Sequence, residues 1–211
     1  MNIIFITYGC TLKKLPHTLS PLPNSAYVSS SLSIVQPRPS PKWKSAHYQC
    51  LSALRRGDDA KVLLLGDSLV RRLNGYVNVS GLRVVNGGYG GDTASNVRWR
   101  VQDMRLPDNC KLAILQCGIN DIRTAHPSAS ATTPMRIAET IKQCGVELKE
   151  RSRMMDVVVM GMLDTTNEYD KIVKEVTNLL KSILPPSINQ QASTIASTKM
   201  NFIPKSLVGV L

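Results

Sequence analysis

The chain has 211 residues, 43% apolar and 19% charged, enough to bury a core and to exclude a wholly disordered, collagen-like or coiled-coil polymer. Aromatic residues make up only 5%, which argues against a base-stacking nucleic-acid platform. No apolar run approaches the roughly 18 residues a membrane span needs. The net charge of +11 is uneven: Met1 to Lys61 carries +6 and Val62 to Leu211 carries +5, so the basic excess is denser near the N-terminus. Such a segment suits either a solvated tail or an arm touching phosphates or an anionic surface.

Residues 1–45 hold six of the twelve prolines (Pro16, Pro21, Pro23, Pro37, Pro39, Pro41) and a serine-rich patch, Ser29 to Ser33. Each proline removes a donor and restricts its predecessor, so the run from Pro37 to Lys44 is expected to stay out of regular helix. This segment reads as a disordered, basic Pro/Ser-rich tail, with folded structure starting between Ser45 and Asp59 and one domain over 46–211. The apolar stretch Ile3 to Tyr8 has no positive charge before it and is short for a secretory signal, so the chain is expected to be intracellular, in the cytoplasm. Five cysteines, an odd number without a C-x-x-C pair, support neither a structural metal nor a disulfide framework. Cys117, at the end of an apolar run, reads as a buried thiol.

From Lys61 the pattern becomes regular. Val62 to Leu65 is continuously apolar and ends in Gly66, as in a strand buried on both faces. Leu82–Val85, Leu112–Leu115 and Val157–Met160 repeat that pattern, and Phe202-Ile203 is a weak fifth. Helical spacing occupies Ser68–Leu73, Ala94–Met104, Thr133–Glu150 and Glu168–Ile183. Strands alternating with helices predict an α/β fold, a parallel sheet covered by helices on both faces. Ligands in such sheets bind beyond the carboxyl ends of the strands.

Three motifs stand at those ends. Gly66-Asp67-Ser68-Leu69 follows the first strand; Ser68 is either a helix cap or a hydroxyl near unsatisfied backbone N–H groups. Asn86-Gly87-Gly88-Tyr89-Gly90-Gly91-Asp92 follows the second, and its glycines let N–H groups approach a developing negative charge. A dinucleotide loop competes poorly, because G-x-G-x-x-G from Gly88 meets Thr93, and Asp92 would repel a pyrophosphate. Gly118-Ile119-Asn120-Asp121 follows the third, as an ordinary Asn-Asp turn or as an amide donor braced by an acid.

In order, the three blocks resemble the SGNH/GDSL hydrolase superfamily, in particular the branch of the platelet-activating-factor acetylhydrolase catalytic subunits, over Lys61 to Ile203. The resemblance implies a flavodoxin-like three-layer α/β/α sandwich and hydrolysis of an acyl or acetyl ester through a serine acyl-enzyme, with no cofactor and no metal. It implies Ser68 as nucleophile, Gly88 and Asn120 as oxyanion donors with the Ser68 N–H, and Asp67, Asp92 and Asp121 as supporting acids. The family takes its general base from a D-x-x-H block after the fifth strand, whereas the eight residues after Ile203 contain neither Asp nor His. The expectation is therefore an SGNH-type domain that is C-terminally incomplete, lacks its last helix, leaves an apolar sheet edge uncovered and is catalytically impaired.

His17 and His47 read as surface residues, and His126, six residues beyond Asn120, as a loop histidine at the correct end of the sheet. A non-catalytic binding module is the first alternative. The second is a retroelement-derived product whose basic tail contacts nucleic acid, since Tyr169 to Ile183 is similar to the esterase domains of some non-LTR retroelements. The small acyl-ester substrate and the oligomeric state are left open by the sequence.

Overall fold

A computed structural model describes residues 5–8, 35, 37–75, 77–79, 81–124, 133–152, 154–162, 169–184 and 200–202 of the chain. In chain order the elements are β1 (Phe5–Tyr8), α1 (Pro41–Arg55), β2 (Lys61–Gly66), α2 (Ser68–Arg72), β3 (Val77–Val79), β4 (Arg83–Gly88), α3 (Ala94–Asp103), β5 (Cys110–Gln116), α4 (Ile119–Thr124), α5 (Thr133–Arg151), β6 (Asp156–Met160), α6 (Asp170–Ile183) and β7 (Met200–Phe202).

Every residue of β2 is buried, as its unbroken apolar run requires of a central strand. It pairs in parallel with β4 on one side and β5 on the other, and β5 pairs in parallel with β6. The sheet order is β1-β6-β5-β2-β4. Successive side chains leave opposite faces, so Leu63 and Leu65 enter one core and Val62 and Leu64 the other. The larger core packs α1, α3, α5 and α6 on the first face through residues such as Leu54, Val97, Ile141 and Val176. On the second face Val70 of α2 and Val79 of β3 join Val62, Leu64, Ile114 and Val158. This is the α/β architecture expected: four parallel strands flanked by helices.

Three expectations need correction. First, folded structure begins before residue 45. Helix α1 starts at Pro41, where the missing N–H is one of the helix's orphan donors anyway, and the Ser40 hydroxyl accepts from Trp43 N at 3.4 Å. Trp43, His47, Cys50, Leu51 and Leu54 then bury one helical face. Arg38 is anchored too: its Nη1 donates to Gly90 O at 2.8 Å and to Asp92 Oδ1 at 3.3 Å, and its guanidinium lies over the Tyr89 ring, 5.5 Å from the centroid. Residues 9–34 of the expected tail lie outside the described residues.

Second, the strand beside β6 is β1 and not the weak fifth strand: it pairs antiparallel, Phe5 opposite Met160 and Tyr8 opposite Val157, so an N-terminal segment satisfies the backbone groups of the β6 edge. Third, the weak fifth strand does not extend the parallel sheet. With the β6 edge already paired, β7 lies antiparallel to β3 in a separate two-stranded sheet, Val77 opposite Phe202 and Val79 opposite Met200. Ile203 lies outside the described residues. Among the described residues no helix is long and apolar enough to cross a membrane.

Gly66 joins β2 to α2 where no larger residue fits. A Cβ there would stand 1.9 Å from Gln116 O and 2.6 Å from a Val70 methyl carbon. Gly66→Ala is accordingly expected to cost about 3 kcal/mol or more, because the obstacle is backbone rather than a yielding side chain. Urea unfolding would read this as a lower midpoint, and a loss below about 0.5 kcal/mol would show that the strand end can shift.

Candidate active site

The register of the sheet brings the three blocks together. Gly66 is opposite Gly88 on β4 and opposite Gln116 on β5, so β2, β4 and β5 end level, and Tyr89 N donates to Gly66 O at 2.9 Å. Ser68 is half-buried and opens α2 immediately after this junction. The cap of that helix is Asp67, not Ser68: Asp67 Oδ1 accepts from Leu69 N at 2.8 Å, leaving the serine hydroxyl free of that duty.

Asn86 ties the first two blocks. Its Nδ2 donates to Val70 O at 2.9 Å, while its Oδ1 accepts from Gly88 N at 2.8 Å. The Gly88 N–H, expected to face a ligand, is thus held internally by Asn86. Gly88 itself is required by close approach, since a Cβ would lie 2.2 Å from Arg71 N.

The third block is helical rather than a simple Asn-Asp turn. Asn120 and Asp121 lie in the first turn of α4, where Ile122 N donates back to Gly118 O at 3.3 Å. Asn120 Nδ2 donates to Asp92 O at 2.9 Å, which commits one of its two amide hydrogens. Asp121 Oδ2 accepts from Ala94 N at 2.8 Å and so binds the start of α3.

The three acids expected to support the site lie near one another, Asp67 and Asp92 buried and Asp121 partly buried. Asp92 is fully buried and holds its carboxylate among Trp43 Nε1 at 2.7 Å, Arg100 Nη1 at 3.2 Å and Arg38 Nη1. Burial pushes its pKa up, against the pull of the Arg100 charge and the Trp43, Arg100 and Arg38 hydrogen bonds. Asp121 is pushed up to about 6 by burial, offset in part by its backbone hydrogen bonds. Asp67 also rises to about 6, through burial first, opposed by the Leu69 hydrogen bond and reinforced by the charges of Asp92 and Asp121. Its Oδ2 has no hydrogen-bond partner among the described residues.

His47 is not a surface residue. It is fully buried, with Nε2 3.0 Å from Asp103 Oδ2 and Nδ1 accepting from Arg100 Nε at 3.4 Å, and its ring lies against Trp43, Trp99 and Tyr48. Burial holds its pKa below the usual value despite Asp103. Sequence reasoning missed this helix face, although Trp43, His47, Cys50 and Leu54 have helical spacing. His17 and His126 lie outside the described residues. Cys117 is buried as expected, and desolvation raises its thiol pKa.

An acid whose pKa is raised on folding binds its proton more tightly in the native state. Its contribution favours the fold at low pH and is lost as pH rises from about 4 through about 6. Asp67→Asn is expected to keep the Leu69 bond and remove the buried charge. The variant should gain up to about 3 kcal/mol over wild type at pH 7.5 and little at pH 4. Thermal melts of both proteins across that range test this, and an equal difference at both ends would show that Asp67 is not the titrating group.

No protein-family model matches the chain. Over 158 residues it is 27% identical to "Platelet-activating factor acetylhydrolase IB subunit alpha2" of Rattus norvegicus and, equally, of Homo sapiens, covering 71% of this chain and 65% of the subunit. Among solved structures, the SGNH-hydrolase family esterase AlinE4 is similar at a TM-score of 0.44 and 20% identity, covering 67% of this chain and 82% of that one. The acetyl xylan esterase AlAXEase is similar at a TM-score of 0.45 and 16% identity, covering 65% and 81%. The chain is thus similar in sequence to a platelet-activating factor acetylhydrolase subunit, over about two thirds of that subunit's length, and its three blocks stand in order at the ends of one parallel sheet.

Proposed function

We propose that this chain is a serine ester hydrolase domain whose nucleophile is Ser68, acting on small acyl or acetyl esters. One observation carries the reading: Ser68 stands half-buried at the strand-to-helix junction where β2, β4 and β5 end together, with its helix capped by a different residue. Ser68 Oγ adds to the ester carbonyl carbon, the alkoxide leaves with a proton, and water then hydrolyses the acyl-serine. The negative charge on the former carbonyl oxygen falls to the Ser68 N–H, the Gly88 N–H and the second amide hydrogen of Asn120. Donors of this kind are worth roughly 3–4 kcal/mol each. Gly88 serves only when Asn86 Oδ1 gives up its bond, so substrate competes with Asn86 for that donor.

The base is the weak point. His47 has both ring nitrogens committed, to Asp103 and to Arg100, so it does not supply one. His126 and His17 are the chain's other histidines. Without a histidine engaged on Ser68, turnover is expected to fall by as much as about 10⁶ from that of a full triad, retaining what the donors alone provide.

A second reading, a binding module without turnover, is favoured by the internal engagement of Gly88 N–H and Asn120 Nδ2. Hydrolysis of p-nitrophenyl acetate by wild type beside Ser68→Ala separates the two. A wild-type rate clearly above that of the variant supports the nucleophile. Equal rates from two folded proteins would overturn the esterase reading in favour of the binding module.

A further inference from the structure

Helices α1 and α3 run side by side from the Ser68 end of the sheet to the opposite end. There the C-terminal half of α1, with Asp103 at the end of α3 and Arg105 just beyond it, lines an open groove of about 540 Å3. That volume lies within the range of small-molecule sites. Arg55, Arg56 and Arg105 line it, all exposed, and among the described residues no carboxylate pairs with any of them. Tyr48, 52% exposed, and the Ser52 hydroxyl lie along the same groove.

The ends of α1 and α3 carry partial negative charge, roughly half a unit each, and a basic residue there is ordinarily explained by that alone. Three guanidiniums exceed that need. The one carboxylate in the lining, Asp103, accepts from His47 Nε2 at 3.0 Å and keeps its charge, which offsets one of the three guanidiniums and leaves a surplus of two. The surplus is positive, planar and rich in donors, and planar forks of this kind match phosphoryl oxygens. Tyr48 adds an aromatic face beside it. Part of the N-terminal excess of positive charge is gathered at this groove rather than spread along a tail.

We propose that the groove binds an organic phosphate of nucleotide size, its phosphoryl oxygens on Arg55, Arg56 and Arg105 and its flat ring against Tyr48. The site lies at the other end of the sheet from Ser68 and does not depend on whether the chain hydrolyses esters. Calorimetric titration of the full chain with ADP, inorganic pyrophosphate and adenosine tests it. ADP should bind saturably below about 1 mM, pyrophosphate more weakly and adenosine not at all.

Arg56→Gln and Arg105→Gln should each weaken ADP at least about tenfold, and Tyr48→Ala should weaken ADP while leaving pyrophosphate unchanged. These side chains are exposed, so unchanged melting temperatures will confirm folded variants. The proposal is overturned if neither ADP nor pyrophosphate saturates by 1 mM, a limit on the order of −4 kcal/mol of binding. It is equally overturned if the Arg56→Gln/Arg105→Gln double variant binds ADP as wild type does. Binding of a single-stranded oligonucleotide alone, steeply weakened by salt, would also overturn it by marking the groove as a backbone-phosphate contact.

Discussion

The buried carboxylate of Asp92 is the interaction on which the candidate site depends. It draws Trp43 from α1, Arg100 from α3 and Arg38 from the segment before α1 onto one pair of oxygens, while its own carbonyl accepts from Asn120 of α4. A carboxylate and a guanidinium this deeply buried are tolerated only as a pair with further hydrogen bonds, so removing either partner strands the other. The glycine-rich loop is thereby held against three helices. Its position relative to Ser68 follows from that polar centre as much as from the sheet beneath it.

The same hydrogen bonds set the chemistry against the architecture. Asn86 couples α2 to β4 by occupying the Gly88 N–H, and Asn120 couples α4 to the loop by spending an amide hydrogen on Asp92. Two of the groups proposed as oxyanion donors, the Gly88 N–H and the Asn120 amide, are therefore also structural ties. A site of this kind starts satisfied and exchanges internal partners for a ligand, which lowers the net gain from each bond relative to donors standing free. The three neighbouring acids add a second constraint, because burial first and then repulsion from Asp92 and Asp121 raise Asp67 to about 6, so that it keeps a strained buried charge at neutral pH and takes up a proton only on the mildly acidic side.

The histidines show how position along the chain misleads. His47 precedes the first parallel strand and lies in a stretch that follows a proline-rich run, yet it occupies the core side of α1 between two tryptophans. Its neighbours Trp43, Cys50 and Leu54 already mark a buried helical face. The prolines obscure it, because Pro41 reads locally as a breaker, whereas at the first position of a helix it forfeits no hydrogen bond.

The four parallel strands, the helices α2, α3, α5 and α6 and the strand-end location of Ser68, Gly88 and Asn120 were legible in the sequence. Apolar runs of strand length and apolar residues at helical spacing are local signals, and the alternation of the two restricts the sheet to a parallel one. Tertiary structure alone decided what those signals omit: β1 on the edge of β6, β7 on β3, and Arg38 and Trp43 on Asp92. The two strand pairings join residues more than a hundred positions apart through backbone edges, and the Asp92 contacts join residues 49 and 54 apart through a buried charge. Such partners are chosen by whichever unsatisfied group lies within reach after the chain has folded, and no local pattern encodes that choice.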